Sequence, residues 1–100
     1  MLAVHRQFIL PGHRGLHADV TVIPTGELEV NIKEKNNSLK AEFEDLYFFS
    51  SGKATDIVCR DPVSHDEVRW QLHMASDDAR ELAKMIESAE EEFEILMRDL

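Results

Sequence analysis

The densest group of chemistry-bearing side chains is His13-Arg14-Gly15-Leu16-His17-Ala18-Asp19, where two imidazoles and a carboxylate stand close along the chain. Imidazole nitrogens and carboxylate oxygens are ligands for zinc-type ions, so convergence of His13, His17 and Asp19 would make a metal or small hydrolytic centre. A spacing of four aligns two histidines only on a helix, and Pro11, Gly12 and Gly15 oppose a helix here. The segment therefore reads as a loop running into a strand, and no metal or cofactor is assigned to it. At the tip between the first two strands, His13 and Arg14 could instead touch an anionic group. Cys59 alternates with Ile57, which directs its thiol to the core and away from nucleophilic use. His65 lies in a turn beside Asp66, and His73 falls on a polar strand face. The sequence contains no glycine-rich phosphate loop, G-x-S-x-G, H-E-x-x-H or C-x-x-C. The chain reads as noncatalytic.

Apolar residues recur at every second position through residues 1–75, the period of strands. Leu28, Val30 and Ile32 alternate with Glu27, Glu29, Asn31 and Lys33, which predicts a strand with one wet face. Val20 and Val22 precede it across Pro24-Thr25-Gly26, so residues 18–34 form a hairpin. Asn36-Asn37-Ser38 turns the chain into a second hairpin carrying Leu39, Ala41 and Phe43. The phase slips between Phe43 and Leu46, predicting a bulge or strand break near Glu44-Asp45. Ile57 and Cys59 then face Val68, Trp70, Leu72 and Met74 in a third hairpin, with Cys59 set opposite Val68 and Ile57 opposite Trp70. The first strand, about Ala3 to Leu10, offers Val4, Phe8 and Leu10 to the core.

At Ser76 the period changes to that of a helix, with Ser76 as its cap and Asp77 and Asp78 complementing the N-terminal dipole. The helix is predicted from Asp77 toward Leu100. Ala79, Leu82, Ile86, Ala89, Phe93, Leu96 and Leu100 follow a heptad spacing, widened by Ala83, Met85 and Met97. Such a helix is longer than the sheet of a small domain, so its last turns call for a cover, and a second copy's helix is the economical one. Packing within the chain is the alternative. Nine acids stand in this helix against Arg80, Lys84 and Arg98, peaking at Glu90-Glu91-Glu92. Either they keep the helix solvated, or they dock a basic protein partner. Tyr47, Phe48 and Phe49 put aromatics on both faces of one strand, which marks a second interface candidate. Trp70 is placed in the core.

With 100 residues, 43% of them hydrophobic, the chain is read as one domain (residues 1–100) with a β body and a C-terminal helix. A net charge of −9 opposes nonspecific binding to nucleic acid or anionic lipid. No apolar run is long enough to cross a bilayer or serve as a signal peptide. The lone Cys59 makes no internal disulfide, which fits a reducing, cytoplasmic setting.

The fold class expected is α+β: an antiparallel sheet or bent barrel of six to seven strands packed against one long C-terminal helix. That order, with Val68-Arg69-Trp70-Gln71-Leu72-His73-Met74 leading through Ser76-Asp77-Asp78-Ala79-Arg80 into the helix, resembles the pleckstrin-homology-like superfold, including its GRAM members. Phosphoinositide-binding members use a basic loop between the first two strands, where this chain has only His13 and Arg14. The resemblance implies a helix-closed sheet used for protein recognition. The expected function is a noncatalytic, self-associating interaction module, probed first at Tyr47, Phe48, Phe49, Ala89, Phe93, Leu96 and Leu100. The alternative is a small-molecule or anion-binding protein with a pocket between sheet and helix, using His13, Arg14 or His73.

Overall fold

The computed structural model describes residues 3–12 and 15–98. Seven strands precede one helix: β1 (Val4–Ile9), β2 (His17–Ile23), β3 (Glu27–Ile32), β4 (Asn37–Glu42), β5 (Leu46–Ser51), β6 (Ala54–Arg60), β7 (Val68–Ala75) and α1 (Ser76–Arg98). They form two antiparallel meanders, β1-β2-β3-β4 and β5-β6-β7, rather than a closed barrel. The expected α+β class holds, and the phase slip at Glu44-Asp45 is where the chain leaves one sheet for the other, through a 3-10 turn at Phe43–Asp45.

The first hairpin sets Val22 opposite Leu28, Val20 opposite Val30 and Ala18 opposite Ile32, and all six are buried. Pairing of period-two patterns fixes this register, because a slip of one residue would turn every apolar side chain to water. A left-handed Asn36 (φ 48°) closes the 3-10 turn Lys33–Lys35 and starts β4, as the Asn36-Asn37-Ser38 signal predicts. At the edge of the sheet, β1 buries Phe8, with Leu10 buried just beyond its end, but Val4 is 48% exposed. Val4 lies opposite Val22 at the outer end of an edge strand, where, among the described residues, no second neighbouring strand covers it.

The β6–β7 hairpin pairs two residues away from the expected register: Cys59 lies opposite Trp70, Ile57 opposite Leu72 and Thr55 opposite Met74. The loop sets the difference. Asp61 accepts hydrogen bonds from the Val63 and Ser64 amides at 2.9 and 3.0 Å, its own amide donates to the Glu67 carbonyl, and Arg69 grips its carboxylate. A bulge between Cys59 and Arg60 absorbs the mismatch. Because the shift is even, the same faces still point inward.

One apolar cluster joins Val20, Val22 and Leu28 of the first sheet to Ile57, Leu72 and Met74 of the second and to Ala79, Leu82 and Ile86 of α1. Trp70 packs against this cluster half-buried, and its indole N–H donates to the Lys40 carbonyl at 3.0 Å, joining edge strands β7 and β4 of the two sheets. The helix start is fixed by a chain of hydroxyls. Ser76 donates to the Gly52 carbonyl at 3.0 Å, so it accepts from Thr55, which in turn accepts from Ser50. The Ser76 amide also donates to the Lys53 carbonyl.

Leu82 is fully buried where the three layers meet. Leu82→Ala is expected to cost about 2 to 5 kcal/mol. In urea unfolding the midpoint should fall with the slope unchanged.

Candidate functional site

Burial along α1 ends before the helix does. Ala79, Leu82, Ile86 and Ala89 are buried and Phe93 is half-buried, whereas Ile95 and Met97 are each 55% exposed. Met97 follows Phe93 by four residues and so continues the buried stripe past its cover. Ala89, an interface candidate from the sequence, instead fills the core at 6% exposure, and Ala83, counted into the stripe, faces solvent. The Leu96 side chain, Leu100, His13 and Arg14 lie outside the described residues.

Between this end of α1 and the first sheet lies an open groove of about 730 Å³. Phe43 and Phe93 supply apolar surface, Pro24-Thr25-Gly26 forms one bank, and seven glutamates line the rest. Glu87, Glu90, Glu91 and Glu94 are spaced three and four apart and share one flank of the helix. Glu27, Glu42 and Glu44 come from the strand side, with Glu27 directly opposite Glu42 across the β3–β4 ladder. A hydrogen bond to Glu44 and the charge of that carboxylate raise the Glu42 carboxyl above its ordinary value. The bank is held by the Phe43 amide, which donates to the Gly26 carbonyl at 2.9 Å. Among the described residues, none of the seven is in an ion pair, while Asp19, Glu29, Glu34, Asp56, Asp61, Asp77 and Glu81 each are. The heptad reading of α1 centres on its apolar stripe, and the pocket it allows between sheet and helix is not assigned these glutamates. The groove's signal was the run of acids at helical spacing together with Glu27, Glu42 and Glu44 near turns.

The aromatic run divides as strand geometry requires. Phe48 shares the inward face with Ile57 yet stays 36% exposed. On the outer face the Arg60 guanidinium stands 4.9 Å from the Tyr47 ring centre and 5.7 Å from that of Phe49, which is 48% exposed. A cation from the adjacent strand thus lies against both rings and still leaves Phe49 exposed. Among the described residues, the buried Arg60 Nε has no hydrogen-bond partner.

Of the histidine cluster, His17 and Asp19 are described, and each is engaged by a different neighbour. His17 closes onto Glu34, whose two oxygens take the His17 amide at 2.8 Å and ring Nδ1 at 2.5 Å. Asp19 accepts from Gln7 at 3.1 Å and lies 3.5 Å from Lys33. Among the described residues, no three of His, Cys, Asp and Glu are grouped to hold a metal ion. His73 sits opposite Asp56 and bonds it at 2.7 Å, on the sheet face that Leu72 and Met74 do not use. His73 is not among the residues that line the groove between α1 and the first sheet. Cys59 is buried, and burial with the nearby Asp45 charge pushes its thiol up, away from thiolate. Among the described residues, no helix is long and apolar enough to cross a membrane. No family model matches the chain, and neither the curated proteins nor the solved structures give a match.

The two perturbed glutamates shift stability in opposite senses. The His17 hydrogen bonds lower the Glu34 carboxyl from 4.5 to about 2. Its contribution is complete above 4.5 and lost as pH falls through about 2. The thermal-midpoint deficit of Glu34→Gln should therefore shrink over that window. Glu42 carries the reverse sign, since its raised carboxyl penalises the fold above that raised value and not below 4.5. Glu42→Gln should raise the midpoint at neutral pH, and the gain should vanish on acidification.

Proposed function

We propose that the chain is a noncatalytic protein-interaction module of the pleckstrin-homology-like kind that self-associates through the distal turns of α1. The observation that carries this reading is an apolar stripe that outlasts its cover, passing from buried Ala89 through half-buried Phe93 to exposed Met97. A four-stranded meander, a three-stranded meander and a C-terminal helix, in that order, support the resemblance. A noncatalytic role is supported by the engagement of His17, Asp19 and His73 with local partners and by the buried, protonated Cys59. A buried reduced thiol suits the cytoplasm.

The exposed β5 aromatics on an edge strand offer a second contact surface. An anion-binding pocket is disfavoured between sheet and helix, because the groove there is walled by glutamates.

Light scattering coupled to size exclusion tests self-association. The wild type should elute as a dimer. Met97→Glu, at an exposed position, should give a folded monomer, with Phe49→Glu leaving the dimer intact. A monomeric wild type overturns self-association, and a dimer split only by Phe49→Glu moves the contact to β5.

A further inference from the structure

The groove and the distal stripe adjoin on α1, but their chemistry differs, and charge decides who can occupy the groove. Seven glutamates gather around two phenylalanines, and among the described residues none of these acids is in an ion pair. Five cations of the described residues are paired elsewhere: Arg6 with Glu81, Lys33 with Asp19, Lys40 with Glu29, Arg69 with Asp61 and Arg80 with Asp77. Arg60 lies over Tyr47 and Phe49. A second copy would bring another net −9 to this wall, so the chain itself is a poor occupant. Nucleic acid and anionic membrane are repelled for the same reason. Phe43 and Phe93 add an apolar floor that a purely ionic ligand would leave wet.

We propose that the groove between α1 and the β2–β3 turn docks a basic segment of a different protein, which sets an apolar side chain against Phe43 and Phe93 and places lysine or arginine along the two glutamate rows. The proposal rests on the interaction-module reading and names its partner chemistry. Opposed carboxylates at Glu27 and Glu42, on facing strand positions, are the arrangement a bound cation relieves. The helix row Glu87, Glu90, Glu91, Glu94 runs along the groove, so an extended or helical segment meets charge at repeated intervals. The floor confers preference for an apolar anchor, and the wall confers sign selectivity and fast, salt-sensitive encounter.

The full chain, isotope-labelled for amide NMR, is titrated with four probes: a short lysine–leucine peptide, its lysine–serine and glutamate–leucine counterparts, and spermine. The lysine–leucine peptide should bind and shift amides around Gly26, Phe43 and Glu87–Glu94. It should bind about tenfold or more tightly than either the lysine–serine peptide or spermine, a gap of ~1.4 kcal/mol. The glutamate–leucine peptide should not bind. Glu90→Lys/Glu94→Lys, both exposed, should weaken binding by about tenfold or more while leaving the fold intact. Phe93→Ser should weaken the lysine–leucine peptide and leave the lysine–serine peptide unchanged. Absence of binding, shifts centred elsewhere, or indifference to the charge reversal overturns the proposal. Equal affinity for spermine or the lysine–serine peptide also overturns it, by making the groove a general polycation sink. Self-association is read from mass without any peptide, so a monomer that binds in the groove and a dimer that ignores the peptide are distinct results.

Discussion

The structure depends on excluding water from one apolar core to which neither sheet nor the helix has enough surface to contribute alone. The first sheet offers one face, the second offers another, and α1 closes the gap with Ala79, Leu82 and Ile86. A three-stranded meander such as β5-β6-β7 would expose Ile57, Leu72 and Met74 if it stood alone, at a cost near 1.5 to 3 kcal/mol for each large side chain. Every other specific contact refines this arrangement. The Trp70 indole sets how the two sheet edges meet, and the hydroxyl chain from Ser50 through Thr55 to Ser76 fixes where the helix departs.

Much of this was legible because half-buried strands and amphipathic helices write their faces into the period of the sequence. Leu28-Val30-Ile32, the change of period at Ser76 and the slip at Glu44-Asp45 all correspond to real features. Periodicity names a face but not its neighbour, which is why the division into two sheets was not readable. It is likewise blind to even register shifts, so Cys59 was paired with Val68 rather than Trp70, the bulge and the Asp61-centred loop being decided by local hydrogen bonds. Val4 was misplaced for another reason: its alternation is correct, but its strand is at an edge. The groove was least legible, since its acids come from segments far apart in the chain.

Charge is segregated rather than merely abundant. Outside the groove, Asp19, Glu29, Glu34, Asp56, Asp61, Asp77 and Glu81 are each matched by arginine, lysine or histidine within reach, Glu81 by Arg6 across the β1–α1 contact. Inside it, carboxylates face carboxylates, and Glu42 holds its proton more tightly as a result. Such repulsion lowers the stability of the isolated chain, so it marks a place where folding alone does not account for the residues present. The apolar pair at its base and the continuing stripe toward Met97 put this surface beside the part of the helix with least support from the core.

The helix is in effect a cantilever. Its root is clamped by Ser76, Ala79, Leu82, Ile86 and Ala89, and its outer turns project past the last buried residue. Over the root, helical structure is enforced by tertiary burial; over the projecting arm it relies on the modest intrinsic preference of Glu, Leu, Met and Ile. Amide exchange should therefore rise in a gradient from root to tip, and the free energy of winding the last turns becomes a quantity that any bound molecule can supply. Contact at the tip would thus be transmitted as helix length, with the body of the protein left unchanged.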